Sequence, residues 1–225
     1  MQNSDFTISQ KADMIAALRR WGFLPLFQNS IPGFSVEEHA DPHAWFSDAP
    51  GVWEWTGPVI RETGCAYGKF FDKKAVFITP EWFADFANYR RDGYDFDARC
   101  DDGLAPFGDQ TLYELLDANA PLLSKELKRI GDYRKGGRRG FETSMTRLQA
   151  QCYVIIRDFV YLRDKHGTPY GWGVAEYSTP ERELGREFRA HVYDRSPAQS
   201  RERIVRHLLD VVPNATEEAV RKLIK

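Results

Sequence analysis

Long apolar runs are missing from this chain. No stretch approaches the roughly 18–20 consecutive apolar residues that a membrane-spanning helix needs. The start, Met1-Gln2-Asn3-Ser4-Asp5-Phe6-Thr7, has neither the basic residues nor the apolar block of a secretion signal, so a cytoplasmic protein without membrane contact is expected. Cysteine is scarce: Cys65, Cys100 and Cys152 are odd in number and widely spaced, which excludes a disulfide framework and a Cys-x-x-Cys knuckle and leaves reduced thiols. Histidine is thin as well. His39, His43, His166, His191 and His207 are scattered, and Pro42 interrupts the only pair with helical metal-ligand spacing, His39 and His43. No metal is expected. Gly-x-Gly-x-x-Gly, Walker A and Gly-x-Ser-x-Gly sequences are absent, so no dinucleotide, nucleoside triphosphate or serine-hydrolase site is expected, and no cofactor.

What is present can fill a core: 42% of the 225 residues are hydrophobic and 14% aromatic. Lys11–Trp21 places Met14, Ile15, Leu18 and Trp21 at helical spacing, with Ser9 as N-cap and Gly22 as stop. Pro25, Pro32, Gly33 and Pro42 predict an ordered loop over Phe23–Ala49. Val59-Ile60 and Ala75–Ile78 predict short strands. Thr79 and Pro80 start a helix with Trp82, Phe83, Phe86 and Tyr89 inward, ending near Arg91. The stretch Tyr94–Asp109, rich in Asp and Gly, marks a boundary. At the far end, Ser196 and Pro197 open one helix, and a last one begins around Thr216, capped by Asn214 or Thr216.

The net charge of −2 argues against a nucleic-acid partner unless cations cluster locally. They do so between Lys125 and Arg147. Helices are predicted over Thr111–Ala118, from Ser124 to a stop at Gly131, and over Phe141–Gln151. The glycine-rich turn Tyr133–Gly140 joins the last two. Lys125, Lys128, Arg129, Arg134, Lys135, Arg138, Arg139 and Arg147 face only Glu126, Asp132 and Glu142. Tyr153–Ile156 and Phe159–Leu162 then predict strands, Lys165-His166-Gly167 a turn, and Tyr170–Ala175 a returning strand.

Three helices and a hairpin are the order of a winged helix-turn-helix, whose third helix enters the major groove of duplex DNA while the wing touches the backbone or minor groove. The expected fold is α+β: an N-terminal half over 1–108, a winged helix over 109–180 and C-terminal helices over 181–225. The N-terminal half is open to reading as a degenerate second winged helix, which would make the arrangement tandem. The expected DNA contacts are Lys125, Lys128, Arg134, Lys135, Arg138, Arg139, Arg147, Gln149, Lys165 and His166. A solvated charge run or a protein-interaction module is the competing reading.

Several blocks carry a family resemblance: Trp53-Glu54-Trp55, Tyr67–Ala75, Asn88–Asp95, Arg147-Leu148-Gln149 with Tyr170-Gly171-Trp172, and Ser178-Thr179-Pro180-Glu181. Together they resemble the AlkZ-related bacterial proteins, distant relatives of AlkZ, a winged-helix DNA glycosylase that excises alkylated or crosslinked bases. The resemblance to the glycosylases themselves rests on about Ser124–Glu181 and on Phe71–Pro80. Those enzymes carry a Gln, apolar, Gln or Asp motif early in the fold; here Gln149-Ala150-Gln151 lies late, on the third helix.

The resemblance implies a carboxylate or amide that positions water and aromatic groups that hold an extruded base. Candidates by residue type are Glu54, Asp72, Gln149 and Gln151 for the first role, and Trp53 and Trp55 for the second. Against this, buried tryptophans are ordinary core material. At least three of Trp45, Trp53, Trp55 and Trp82 are expected to be covered, with Glu54 turned away from them. The default expectation is DNA binding without catalysis; a glycosylase-like repair enzyme acting on alkylated or damaged bases is the alternative.

Overall fold

The computed structural model describes residues 6–45, 49–167 and 169–225; residues 1–5, searched above for a leader, and 46–48 of the expected loop lie outside them. Six elements make the first unit: α1 (Lys11–Trp21), β1 (Phe23–Pro25), α2 (Val36–His39), α3 (Val52–Thr63), β2 (Ala66–Phe71) and β3 (Lys74–Ile78). The strands form an antiparallel sheet in the order β1-β3-β2, with Phe77 opposite both Leu24 and Tyr67.

Helix α1 covers the expected span, but its cap is Gln10 rather than Ser9, because Asp13 accepts both the Ser9 and Gln10 amides at 3.0 and 3.1 Å. Gly22 ends it at φ 72°, and a Cβ there would lie 2.5 Å from the Trp82 ring. Two expectations fail here. Part of the predicted loop is strand β1, whose Pro25 sits at the end of an edge strand, where a missing N–H costs little. Val59-Ile60 is helical, because Val52, Thr56, Val59 and Ile60 recur on one buried face of α3 and that 3.6-residue period outweighs β-branching.

Helix α4 (Pro80–Arg91) starts after Thr79 as expected and stops at Asp92, φ 55°. A short helix α5 (Phe96–Asp101) occupies the acidic stretch, its first turn capped by Asp95, which accepts the Ala98 amide at 2.8 Å. The second unit then follows: α6 (Phe107–Asn119), β4 (Leu122–Leu123), α7 (Ser124–Ile130), α8 (Phe141–Ala150), β5 (Ile155–Arg163) and β6 (Pro169–Ser178). Its sheet order is β4-β6-β5. The two strands predicted between Tyr153 and Leu162 are one continuous β5, kinked by register shifts on either side of Asp158–Val160. Ser124 lies inside α7 rather than capping it.

Both units therefore share one order, helix, strand, helix, helix, strand, strand, and in each sheet the last strand lies between the first two. The chain closes with α9 (Pro180–Glu183), α10 (Gly185–His191), α11 (Pro197–Val211) and α12 (Glu217–Leu223); Ser196 and Thr216 accept the Gln199 and Ala219 amides as caps. No helix of the described residues is long and apolar enough to cross a membrane. The three cysteines are free, and burial pushes the Cys65 and Cys152 thiols up to about 12, so both stay protonated.

One charge joins α4 to the second unit and the C-terminal helices. Arg91, the last residue of α4, is only 1% exposed. It donates to Glu181 Oε1 at 2.6 Å, Tyr193 Oη at 3.1 Å and the Cys152 carbonyl at 2.7 Å, and lies 4.6 Å from the Tyr153 ring centre. Burial works against the guanidinium charge, but Glu181 and Tyr193 outweigh it and hold the pKa above its ordinary value. Replacing Arg91 with Ala leaves Glu181 and a buried carbonyl without their donor, so urea unfolding of Arg91→Ala should show a loss on the order of 3 kcal/mol. A loss below about 1 kcal/mol would mean that this contact behaves as an ordinary surface ion pair.

Candidate nucleic-acid interface

Helix α8 is amphipathic, with Phe141, Met145, Leu148 and Gln149 buried and Glu142 and Thr143 exposed. It begins after Gly140 at φ 88°, with no side-chain cap. The turn before it is compact: the Arg138 amide donates to the Asp132 carbonyl at 2.7 Å and the Gly137 amide to Arg134 at 2.9 Å. Gly137 has no substitute, because a Cβ would stand 2.2 Å from that same Asp132 oxygen. Folded this way, the turn leaves Arg134, Lys135 and Arg139 exposed. Lys125 and Arg129, one helical turn apart on α7, are exposed as well.

None of these five cations, of which Arg129 is not among the expected contacts, forms an ion pair with a described residue, unlike Lys128 and Arg147. Lys128 is bound to Glu142 at 2.7 Å and lies 4.7 Å from the Phe141 ring centre. Arg138 donates to Thr111 Oγ1 at 3.0 Å and covers Phe107. Arg147 grips Asp109 through two bonds of 2.5 and 2.7 Å; the carboxylate is 1% exposed, and its hydrogen bonds raise the guanidinium pKa. Arg147 thus neutralises a buried acid between α6 and α8 and is not a free cation. At the β5–β6 turn Lys165 and His166 are exposed, and on β6 Trp172 is 75% exposed.

Gln149 requires the plainest correction. It is fully buried: its Nε2 donates to the Met145 carbonyl at 3.0 Å and its Oε1 accepts the Lys69 amide of β2 at 3.2 Å. It stitches α8 to the first sheet and can touch neither base nor phosphate in this arrangement. The other candidates for chemistry are dispersed. Glu54 accepts the Gly51 amide at the start of α3 and borders a shallow groove with Asp158 and Tyr161 of β5. Asp72 sits exposed in the β2–β3 turn. Gln151, just past α8, lines a groove of about 560 Å³ with Lys73, Arg90, Thr143, Thr146 and Arg147.

Trp45, Trp55 and Trp82 are half-buried, while Trp53 is 38% exposed and rests edge-on against Trp45, ring centres 5.3 Å apart. Trp55 packs against the first unit's core, while Trp53 lies against Phe27 and Trp45 at its edge. Sequence reasoning missed Lys73, Arg90, Thr143 and Thr146. Phe71-Asp72-Lys73-Lys74 could have been read as a hairpin turn, but nothing local says that this turn lies across α8.

A sequence model of the family described as AlkZ related matches residues 8–225. No curated protein and no solved structure shows significant similarity to the chain. If Gln149 is structural, Gln149→Ala should lower stability by about 1 kcal/mol, since it orphans the partly buried Lys69 amide, and should leave duplex affinity of the folded protein unchanged. A stable variant with weakened DNA binding would reverse that assignment.

Proposed function

The chain belongs to the AlkZ-related family, and from that premise we propose that it binds duplex DNA through α7, the basic turn before α8, and the β5–β6 hairpin. The observation that carries this reading is the set of five exposed cations without acidic partners among the described residues, Lys125, Arg129, Arg134, Lys135 and Arg139, on a protein whose net charge is −2. Phosphate contact needs such locally uncompensated charge.

The repeated order of elements, with the last strand central in each sheet, supports reading each unit as a winged helix and α8 as the second unit's recognition helix. Because β2 covers the buried side of α8 through Gln149, only the N-terminal half around Glu142 and Thr143 is left to approach base edges. Lys165, His166 and Trp172 would meet the backbone or minor groove from the wing. Family membership also keeps base excision in view. Among the described residues lining the groove beside Gln151, Glu142 is the only carboxylate and is held by Lys128, which favours binding over catalysis.

Wild-type protein should bind a short duplex with a steep salt dependence. The triple substitution Arg134→Ala, Lys135→Ala, Arg139→Ala should weaken binding to all sequences alike and flatten the slope of log K against log salt by about 3, one step per lost phosphate contact. No wild-type binding at low salt would overturn the DNA reading in favour of a protein-interaction module. Incubation with DNA bearing an alkylated purine should leave it free of abasic sites; excision that disappears in Gln151→Ala would establish the glycosylase reading instead.

A further inference from the structure

We propose that the groove between α8 and the β2–β3 turn is a second site for the DNA sugar-phosphate backbone, and that Lys73 of the first unit is its principal contact. The proposal rests on the DNA-binding reading and adds the first unit to the interface. Two opposed charges in or beside the groove are spoken for, Arg147 by Asp109 and Glu142 by Lys128. Lys73 and Arg90 are not: neither forms an ion pair with a described residue. Arg90 is nonetheless held in place, donating to the Ala150 carbonyl at 2.9 Å and the Ile224 carbonyl at 3.2 Å, bonds that fix its position without cancelling its charge. The side chains of Thr143, Thr146 and Gln151 make no hydrogen bond to a described residue, which leaves neutral donors beside the two cations. That mixture of free cations, hydroxyls and amide is what phosphate oxygens take from proteins.

The second observation is the backbone at Lys73. Asp72 and Lys73 form the two-residue turn between Phe71 and Lys74 with φ of 47° and 62°, positive at both positions. Such a turn strongly favours glycine at its second position, because a Cβ is strained there. Lys73 holds that position although its exposed side chain makes no hydrogen bond or ion pair in the described structure, so the fold draws nothing from it to offset the strain. Residues kept in unfavourable backbone regions cluster where they serve a ligand. Here the strained lysine is also the one that walls the groove opposite α8.

Lys73→Gly separates fold from function, with Asp72→Gly as the control that relieves the same turn without removing a cation. Full-length proteins would be compared by thermal melting and by fluorescence anisotropy with a short duplex across a salt series. Lys73→Gly is expected to melt higher than wild type yet bind more weakly, with a salt slope smaller by about 1. Asp72→Gly should also melt higher and bind at least as tightly. A wild-type slope in Lys73→Gly overturns the groove site while leaving the basic-turn reading intact, and so does a lowered Tm, which would give Lys73 a structural role. Absence of binding by wild type would instead remove the reading on which the proposal stands.

Discussion

Burying one guanidinium at the end of α4 is the constraint around which the molecule is arranged. A charge taken out of water is tolerated only when an opposite charge and hydrogen bonds offset the lost hydration. Arg91 finds its answers on segments far apart in the chain: Cys152 after α8, Glu181 in α9 and Tyr193 after α10. Aromatic faces of Tyr153 and Phe188 close the remaining sides. The second unit and the C-terminal helices must both be docked on α4 before this charge is satisfied. A second polar cluster does the same one helix face away, where buried Asp85 of α4 meets Arg203 and Ser200 of α11.

The docking of the two units decides what each helix can do. Strand β2 runs against α8 and β5, where Lys69 gives its amide to Gln149 and Tyr67 meets Phe159 edge-on at 5.8 Å, and Arg61 of α3 pairs with Asp158 of β5. Gly68 permits the approach, since a Cβ there would already touch the Phe70 ring at 2.9 Å and Gln149 at 3.4 Å. Helix α8 becomes one wall of a groove to which Lys73 of the first unit contributes from the opposite side.

Charge is sorted by the same packing. Along the basic segment the cations closest to the core are matched: Arg147 to Asp109, Lys128 to Glu142, and Arg138 to a hydroxyl and an aromatic face. Lys125 and Arg129 on α7 and Arg134, Lys135 and Arg139 on the turn pair with no acid among the described residues. A nearly neutral chain thereby keeps locally uncompensated cations that composition alone conceals.

Periodicity and capping chemistry were enough to place α1, α4, α8, α11 and α12, because Gly22, Thr79-Pro80, Ser196-Pro197 and Thr216 act within a turn or two of their own position. The basic turn was legible for the same reason, as were the free thiols. Val59-Ile60 misled because two β-branched residues speak for a strand until the wider spacing from Val52 is weighed. Gln149, Arg147 and Lys73 could not be placed at all from sequence. Whether an amide or a cation faces solvent or a partner depends on residues dozens of positions away, Lys69 and Asp109 among them. That information exists only once the two units pack, since burial and pairing are properties of the folded surface rather than of local sequence.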